Sequence, residues 1–176
     1  MSNIGSYEET YKRFSWKDAA NELEILEGQA KNIGYLCSDR ICEKGKGSKV
    51  ALIWEGFRGE VKKFTYDDIR VYSNAFAKFL KGLGLGIGDR ICIFMDRIPE
   101  LYISFIGILK MGAIVQPLFS AFGEEAMFTR LEDAKTRAIL TTKKHVGKVR
   151  RILDKLPDLQ YVVIVDAEER YRSGRE

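Results

Sequence analysis

Apolar positions recur along this chain at two spacings, and their alternation is the first structural signal. KVALIWE and VKKFTY, separated by the polar turn GFRGE, predict two strands joined as a hairpin. FTYDDIRVYSNAFAKFLKGL then sets Ile69, Tyr72, Phe76, Phe79, Leu80 and Leu83 at helical spacing, one apolar stripe over residues 65–83. Thr65 with Asp68 three positions on predicts a capping box at its start. RICIFM is a short run of strand formers. Pro99, favoured in a first helical turn, opens PELYISFIGILKM, which Gly112 ends. That helix is apolar nearly all round and is expected to be buried. AIVQPLF predicts a strand whose Pro117 has no N–H to give, so the proline belongs at a strand end or edge. EEAMFTRLEDA predicts a helix with acids at its positive end, AILTT a strand, the following basic segment a helix stopping at Pro157, and LQYVVIVD a last strand.

Strand and helix in alternation predict an α/β fold, a mostly parallel sheet flanked by helices. Ligands of such sheets gather beyond the carboxyl ends of the strands, which directs attention to the ends of IFM, AIVQPLF and AILTT. Before residue 49 the order is less regular. Ser15 with Asp18 predicts a cap for a helix through NELEIL, and YEETYKRFSW is an aromatic-rich arm. The pattern divides the chain into an N-terminal arm and helix (1–48), an α/β subdomain with its hairpin (49–168) and a polar, flexible tail (169–176).

Glycine occupies every second position from Gly82 to Gly88, a density that suggests a phosphate loop. In dinucleotide-binding folds, however, such glycines follow a strand and open a helix, whose N-terminus offers free N–H groups and positive dipole. Here they close a helix and lead into a strand. That end is the negative one, so cap and turn is the favoured reading.

Charge and composition narrow the function class. The chain is 45% hydrophobic with a net charge of +4, and the excess lies in KKHVGKVRRILDK, which holds six Lys or Arg against one acid. A local patch of this kind does not indicate general nucleic-acid affinity. Lys144, Lys148, Arg151 and Lys155 share one helical face, opposite Val146, Val149, Leu153 and Leu156. A solvated face of an amphipathic helix is the favoured reading and an anion-facing patch the sharper alternative. Cys37, Cys42 and Cys92 form no framework, which fits reduced thiols and a cytoplasmic protein; with a single histidine, no metal site is expected. Charges interrupt every apolar stretch, so no membrane association is expected either.

Nothing assembles a catalytic set. The chain contains no G-x-S-x-G elbow and no G-x-x-x-x-G-K-[ST] loop. His145 opens the basic helix, where a surface residue is expected over a general base. The pairs Asp39-Arg40, Asp89-Arg90 and Glu132-Asp133 read as structural charges at element ends.

The order of the pieces nevertheless resembles the N-terminal part of AMP-forming acyl-CoA synthetases, members of the adenylate-forming superfamily. Thr65, Tyr66 and Ile69 are similar to that family's Thr-Tyr-x-x-Leu helix start, and Gly88, Asp89, Arg90 and Ile91 to its Gly-Asp-Arg-Val step. Pro99, Glu100 and Leu101 follow, then Gly112 and Ala113 before a strand. Asn32, Asp39-Arg40, the strand Ile53-Trp54-Glu55-Gly56, and Phe119, Phe122, Arg130 and Asp133 are similar to the acetyl-CoA synthetase branch. Ile41 replaces a histidine of that branch, and Ser120 and Ala121 stand where many members have Gly-Gly.

The resemblance implies an incomplete, N-terminal piece of the adenylate-forming fold, from an enzyme using ATP, Mg2+ and coenzyme A to activate a small carboxylate such as acetate. It implies that Phe119, Ser120 and Ala121 lie beside the adenine end of CoA. It also implies a basic residue after AILTT near the 3′-phosphate; Lys148, Arg150 and Arg151 lie closest, because Gly147 occupies the aligned place of the family's arginine. The family's Ser/Thr/Gly-rich ATP loop, Tyr-Gly-x-Thr-Glu segment, ribose-binding Asp, hinge and catalytic Lys have no match in these 176 residues. The chain is therefore expected to be inactive alone, to bind at most CoA, to partner the remainder of a synthetase, and to self-associate through an uncovered sheet edge. The rival readings are a stand-alone α/β module for a nucleotide or CoA, and a protein-interaction domain.

Overall fold

The structure is a computed structural model describing residues 5–22, 32–168 and 174–175. It falls into two units, Met1–Lys31 and Asn32–Glu176. In the first, α1 (Tyr7–Arg13) is followed by α2 (Trp16–Glu22). Ser15 caps α2 as its spacing predicts: its hydroxyl oxygen accepts from the Asp18 N–H at 3.1 Å and its O–H donates to the Asp18 carboxylate at 2.7 Å. The rest of NELEIL lies outside the described residues.

The second unit takes in residues 32–48 as well as the α/β alternation. It opens with α3 (Ile33–Leu36) and α4 (Asp39–Ile41), then the antiparallel hairpin of β1 (Val50–Glu55) and β2 (Val61–Thr65). The alternation proper comprises α5 (Tyr66–Gly82), β3 (Arg90–Ile93), α6 (Pro99–Lys110), β4 (Ile114–Pro117), α7 (Glu124–Asp133), β5 (Ala138–Thr141), α8 (Val146–Ile152) and β6 (Tyr161–Ile164). The last four strands form one parallel sheet in the order β4-β3-β5-β6. Pro117 sits at the end of β4, an edge strand, where its missing N–H costs no ladder bond.

Two apolar layers sandwich this sheet. Leu80 of α5 and Ile108 of α6 pack with Ile91, Ile93 and Leu140 on one face. Met127 and Leu131 of α7 and Val149 of α8 pack with Cys92, Phe94 and Ile139 on the other. Alternate residues of β3 thus serve opposite cores, which explains why its sequence is uniformly apolar. Fully burying side chains of this size contributes roughly 1.5–3 kcal/mol each. Contrary to the expectation of full burial, α6 keeps Tyr102 39% exposed. It touches α5, α3 and β3, and the side chains turned away from them remain partly open.

The capping box at Thr65 is present, with the Thr65 N–H donating to Asp68 at 2.8 Å and the Asp68 N–H to the Thr65 hydroxyl at 3.1 Å. The glycine stretch is a cap and a turn. Gly84, at φ +81°, follows α5 in the left-handed region; its N–H reaches the Lys81 carbonyl at 3.0 Å and the Leu85 N–H the Leu80 carbonyl at 3.2 Å. Those two bonds constitute a Schellman motif. Asp89 then accepts from the Gly86 N–H at 2.7 Å and pairs with Arg137 at 2.9 Å, a structural use of that charge. Of the tail, Gly174 and Arg175 are described, and Arg175 is held: its guanidinium donates to the carbonyls of Leu153 and Leu156, both at 2.9 Å.

Candidate functional site

The order β4-β3-β5-β6 contains a change of direction. From β3 the chain moves through α6 to β4 on one side, whereas from β5 it moves through α8 to β6 on the other. Because α6 and α8 also lie on opposite faces of the sheet, the carboxyl ends of β3 and β5 mark the switch point at which sheets of this kind bind ligands. The residues emerging there are Asp96 after β3, the segment 118–122 after β4, and Thr142–His145 after β5.

Asp96 is the centre of this cluster. One carboxylate oxygen accepts from the Lys144 ammonium at 2.7 Å, and the other lies 3.0 Å from His145 Nε2. Ser120 also favours the ionised form of this carboxylate. The Lys144 hydrogen bond is the largest influence on Asp96; with His145 and Ser120 it outweighs partial desolvation and holds the carboxyl at about 2. His145, expected at the surface, is only 7% exposed and packs edge-on against Phe94 at 5.5 Å between centroids. The reason is local: β5 ends in a tight turn, and the N–H groups of His145 and Val146 both return to the Thr142 carbonyl. This folds the imidazole back over the end of β3. The buried hydroxyl oxygens of Thr141 and Thr142 have no hydrogen-bond partner among the described residues.

The segment 119–122 is a turn closed by the Phe122 N–H on the Phe119 carbonyl at 2.9 Å. Phe119 is 68% exposed, and its ring lies 6.3 Å from that of Phe122, which in turn carries the Arg130 guanidinium over its face at 4.6 Å. The basic face of α8 borders this turn. Lys148 donates to the carbonyls of Ser120 at 3.2 Å and Phe122 at 3.0 Å, and its ammonium lies 5.6 Å from the Phe94 ring centre. Arg151 pairs with Glu124 in the first turn of α7.

The structure therefore brings Phe119, Ser120, Ala121 and Lys148 together and joins Arg151 to them through α7. Arg150 is exposed, two residues from Lys148 and so on the opposite side of α8. The favoured reading of a solvated basic face fits Lys144 and Arg151, which stay largely exposed while pairing with Asp96 and Glu124; Lys148 departs from it, being half-buried against the 119–122 turn. Asp96 and its contact with His145 were missed. The available signal was that Asp96 is the first charged residue after the buried run ICIFM, at the carboxyl end of a strand.

Residues 39–175 match the family model described as AMP-binding enzyme. The chain belongs to that family. It is 37% identical over 167 residues to an acetyl-coenzyme A synthetase of Bacillus subtilis (strain 168), covering 94% of this chain and 29% of that one. It is 38% identical over 120 residues to an acetyl-coenzyme A synthetase of Magnetococcus marinus, covering 68% and 18%. Among solved structures, an acyl-CoA synthetase of Brucella canis superposes with a TM-score of 0.78 at 26% identity, over 96% of this chain and 30% of that one. The anthranilate CoA ligase AuaEII, solved with anthranoyl-AMP, shares the fold with a TM-score of 0.70 at 22% identity, over 81% and 26%. The chain spans less than a third of the length of these AMP-binding proteins.

Proposed function

We propose that this chain forms the N-terminal part of a cytoplasmic, AMP-forming ligase that joins acetate, or another short-chain carboxylate, to coenzyme A at the expense of ATP. The observation that carries the reading is the 37% identity with the Bacillus subtilis acetyl-coenzyme A synthetase across 94% of this chain. The reaction is two displacements. A carboxylate oxygen attacks the α-phosphorus of ATP and pyrophosphate leaves. The CoA thiolate then attacks the acyl carbon of the adenylate, and AMP leaves.

In this reading the chain's own residues serve the second substrate. Phe119 offers an exposed aromatic face to the adenine end of CoA, with Ser120 and Ala121 forming the turn that presents it. Lys148 and Arg151 keep the adjoining wall positive, and Arg150 extends that charge onto the outer side of α8, where a phosphate is favoured over a neutral end. Among the described residues no group of three or more potential metal-ligating His, Cys, Asp or Glu side chains comes together. In this reading Mg2+ accompanies the phosphates of ATP. No helix among the described residues is long and apolar enough to cross a membrane. The proposed partners are the remainder of the synthetase chain and, for the chain alone, a second copy.

The test is exchange of labelled pyrophosphate into ATP by the full-length protein, with acetate, propionate and a long-chain fatty acid offered separately. Acetate or propionate should support the fastest exchange. Exchange with none of the three would overturn the ligase reading, and a preference for the long chain would overturn its substrate.

A further inference from the structure

The cluster at the end of the sheet contains an ammonium group that is already engaged. Two of the three Lys148 donors point at backbone carbonyls of one turn, Ser120 at 3.2 Å and Phe122 at 3.0 Å. The charge also rests near the Phe94 face at 5.6 Å, and the side chain is half-buried between α8 and that turn. Asp96, at the end of β3 close to this turn, is itself anchored by Lys144 at 2.7 Å and His145 at 3.0 Å. The turn at 119–122 is thus gripped by α8 through two of its carbonyls. With two of its three donors committed to this turn, Lys148 has one N–H left for any other partner.

We propose that Lys148 is a positioning residue that fixes the 119–122 turn through its carbonyls, so that it sets where Phe119 is presented and acts on CoA through the turn and not through the 3′-phosphate. This deepens the reading given above and rests on it. A positioning residue and a phosphate ligand differ in what their loss does to selectivity. Loss of a phosphate ligand weakens CoA and spares dephospho-CoA, which lacks that phosphate. Loss of a positioning residue weakens both alike, because both share the adenine.

The test compares Lys148→Met and Lys148→Arg with the wild type in the full-length protein. Calorimetry measures CoA and dephospho-CoA binding, and hydrogen exchange reads the amides of residues 118–123. Lys148→Met should weaken both ligands by the same factor, roughly tenfold for one lost charged hydrogen-bonding group, and should speed exchange in the turn. Lys148→Arg should restore most of both. A selective loss of CoA binding in Lys148→Met would overturn the proposal, as would unchanged exchange in that variant. If the wild type binds neither ligand, the CoA reading fails on its own, and the exchange rates still decide whether Lys148 fixes the turn.

Discussion

Asp96 shows how much one carboxylate at a strand end can organise. It receives an ammonium and an imidazole from the turn after β5, and these, with Ser120, hold its pKa at about 2, below the ordinary 3.8. A carboxylate whose folded pKa is depressed stabilises the fold above its unfolded pKa, and that contribution is lost as pH falls through the folded value. For Asp96 the window runs from about pH 4 down to about pH 2. Asp39 and Asp89 are depressed as well. For Asp89 burial acts against the shift, but the Arg137 guanidinium and the Gly86 N–H outweigh it. Urea unfolding followed between pH 6 and pH 2 should therefore show stability falling steeply below pH 4, and Asp96→Asn should flatten part of that fall. An identical acid slope in the variant would mean that Asp96 titrates alike in folded and unfolded chains. None of this was legible in the sequence. Asp96 is one acid among 25, and its partners stand 24 to 49 positions away.

At the scale of elements the sequence said far more, because each helix and strand is a local pattern. The apolar stripe of α5, the Thr65 box, the glycine cap and Pro99 at the start of α6 all act within a turn or two of their own position. What escaped is the use of polar faces. Periodicity shows that α8 has a basic side but not that the 119–122 turn, Asp96 and Glu124 lie against it. The same limit applies to Gly107, unremarkable within the apolar run of α6. A Cβ there would stand 2.9 Å from the Ser73 backbone carbonyl oxygen and 3.0 Å from Phe76 of α5. Alanine elsewhere in a helix interior stabilises by about 1 kcal/mol relative to glycine. Here the obstacle is backbone and cannot turn aside, so the helices must separate, at about 1–3 kcal/mol for overpacking. Gly107→Ala should therefore lower the urea midpoint. A raised midpoint would show that α5 and α6 approach less closely than the structure has them.

For the whole molecule the decisive fact is proportion: the chain spans 29% of its Bacillus subtilis relative. Its 176 residues contain no match to the family's ATP loop or catalytic lysine, so the isolated chain should support no carboxylate-dependent pyrophosphate exchange. Turnover at the level of the full-length protein would show that the nucleotide is held by residues described here.

The surface of the isolated second unit leads to the last expectation. On the face carrying α5 and α6, a groove is lined by Phe76, Phe79, Ile103, Val163 and Val165, with Phe79 45% exposed. It exists because β6 is the outermost strand, and among the described residues no further helix covers its inner face there. The β6 edge itself is partly closed, since the Val162 N–H is taken by the Arg175 carbonyl at 2.6 Å. Burial of the apolar groove, and not strand pairing alone, should therefore drive a second copy to associate. Each exposed aromatic of this size that becomes covered contributes on the order of 1.5–3 kcal/mol before the cost of association. Sedimentation of the isolated chain across micromolar to millimolar concentrations should show reversible dimer or higher species, and Phe79→Glu should shift it to monomer without changing its unfolding midpoint by more than about 0.5 kcal/mol equivalent, as for an exposed position. A wild-type chain that stays monomeric throughout that range would mean that the groove is too small to hold two copies together.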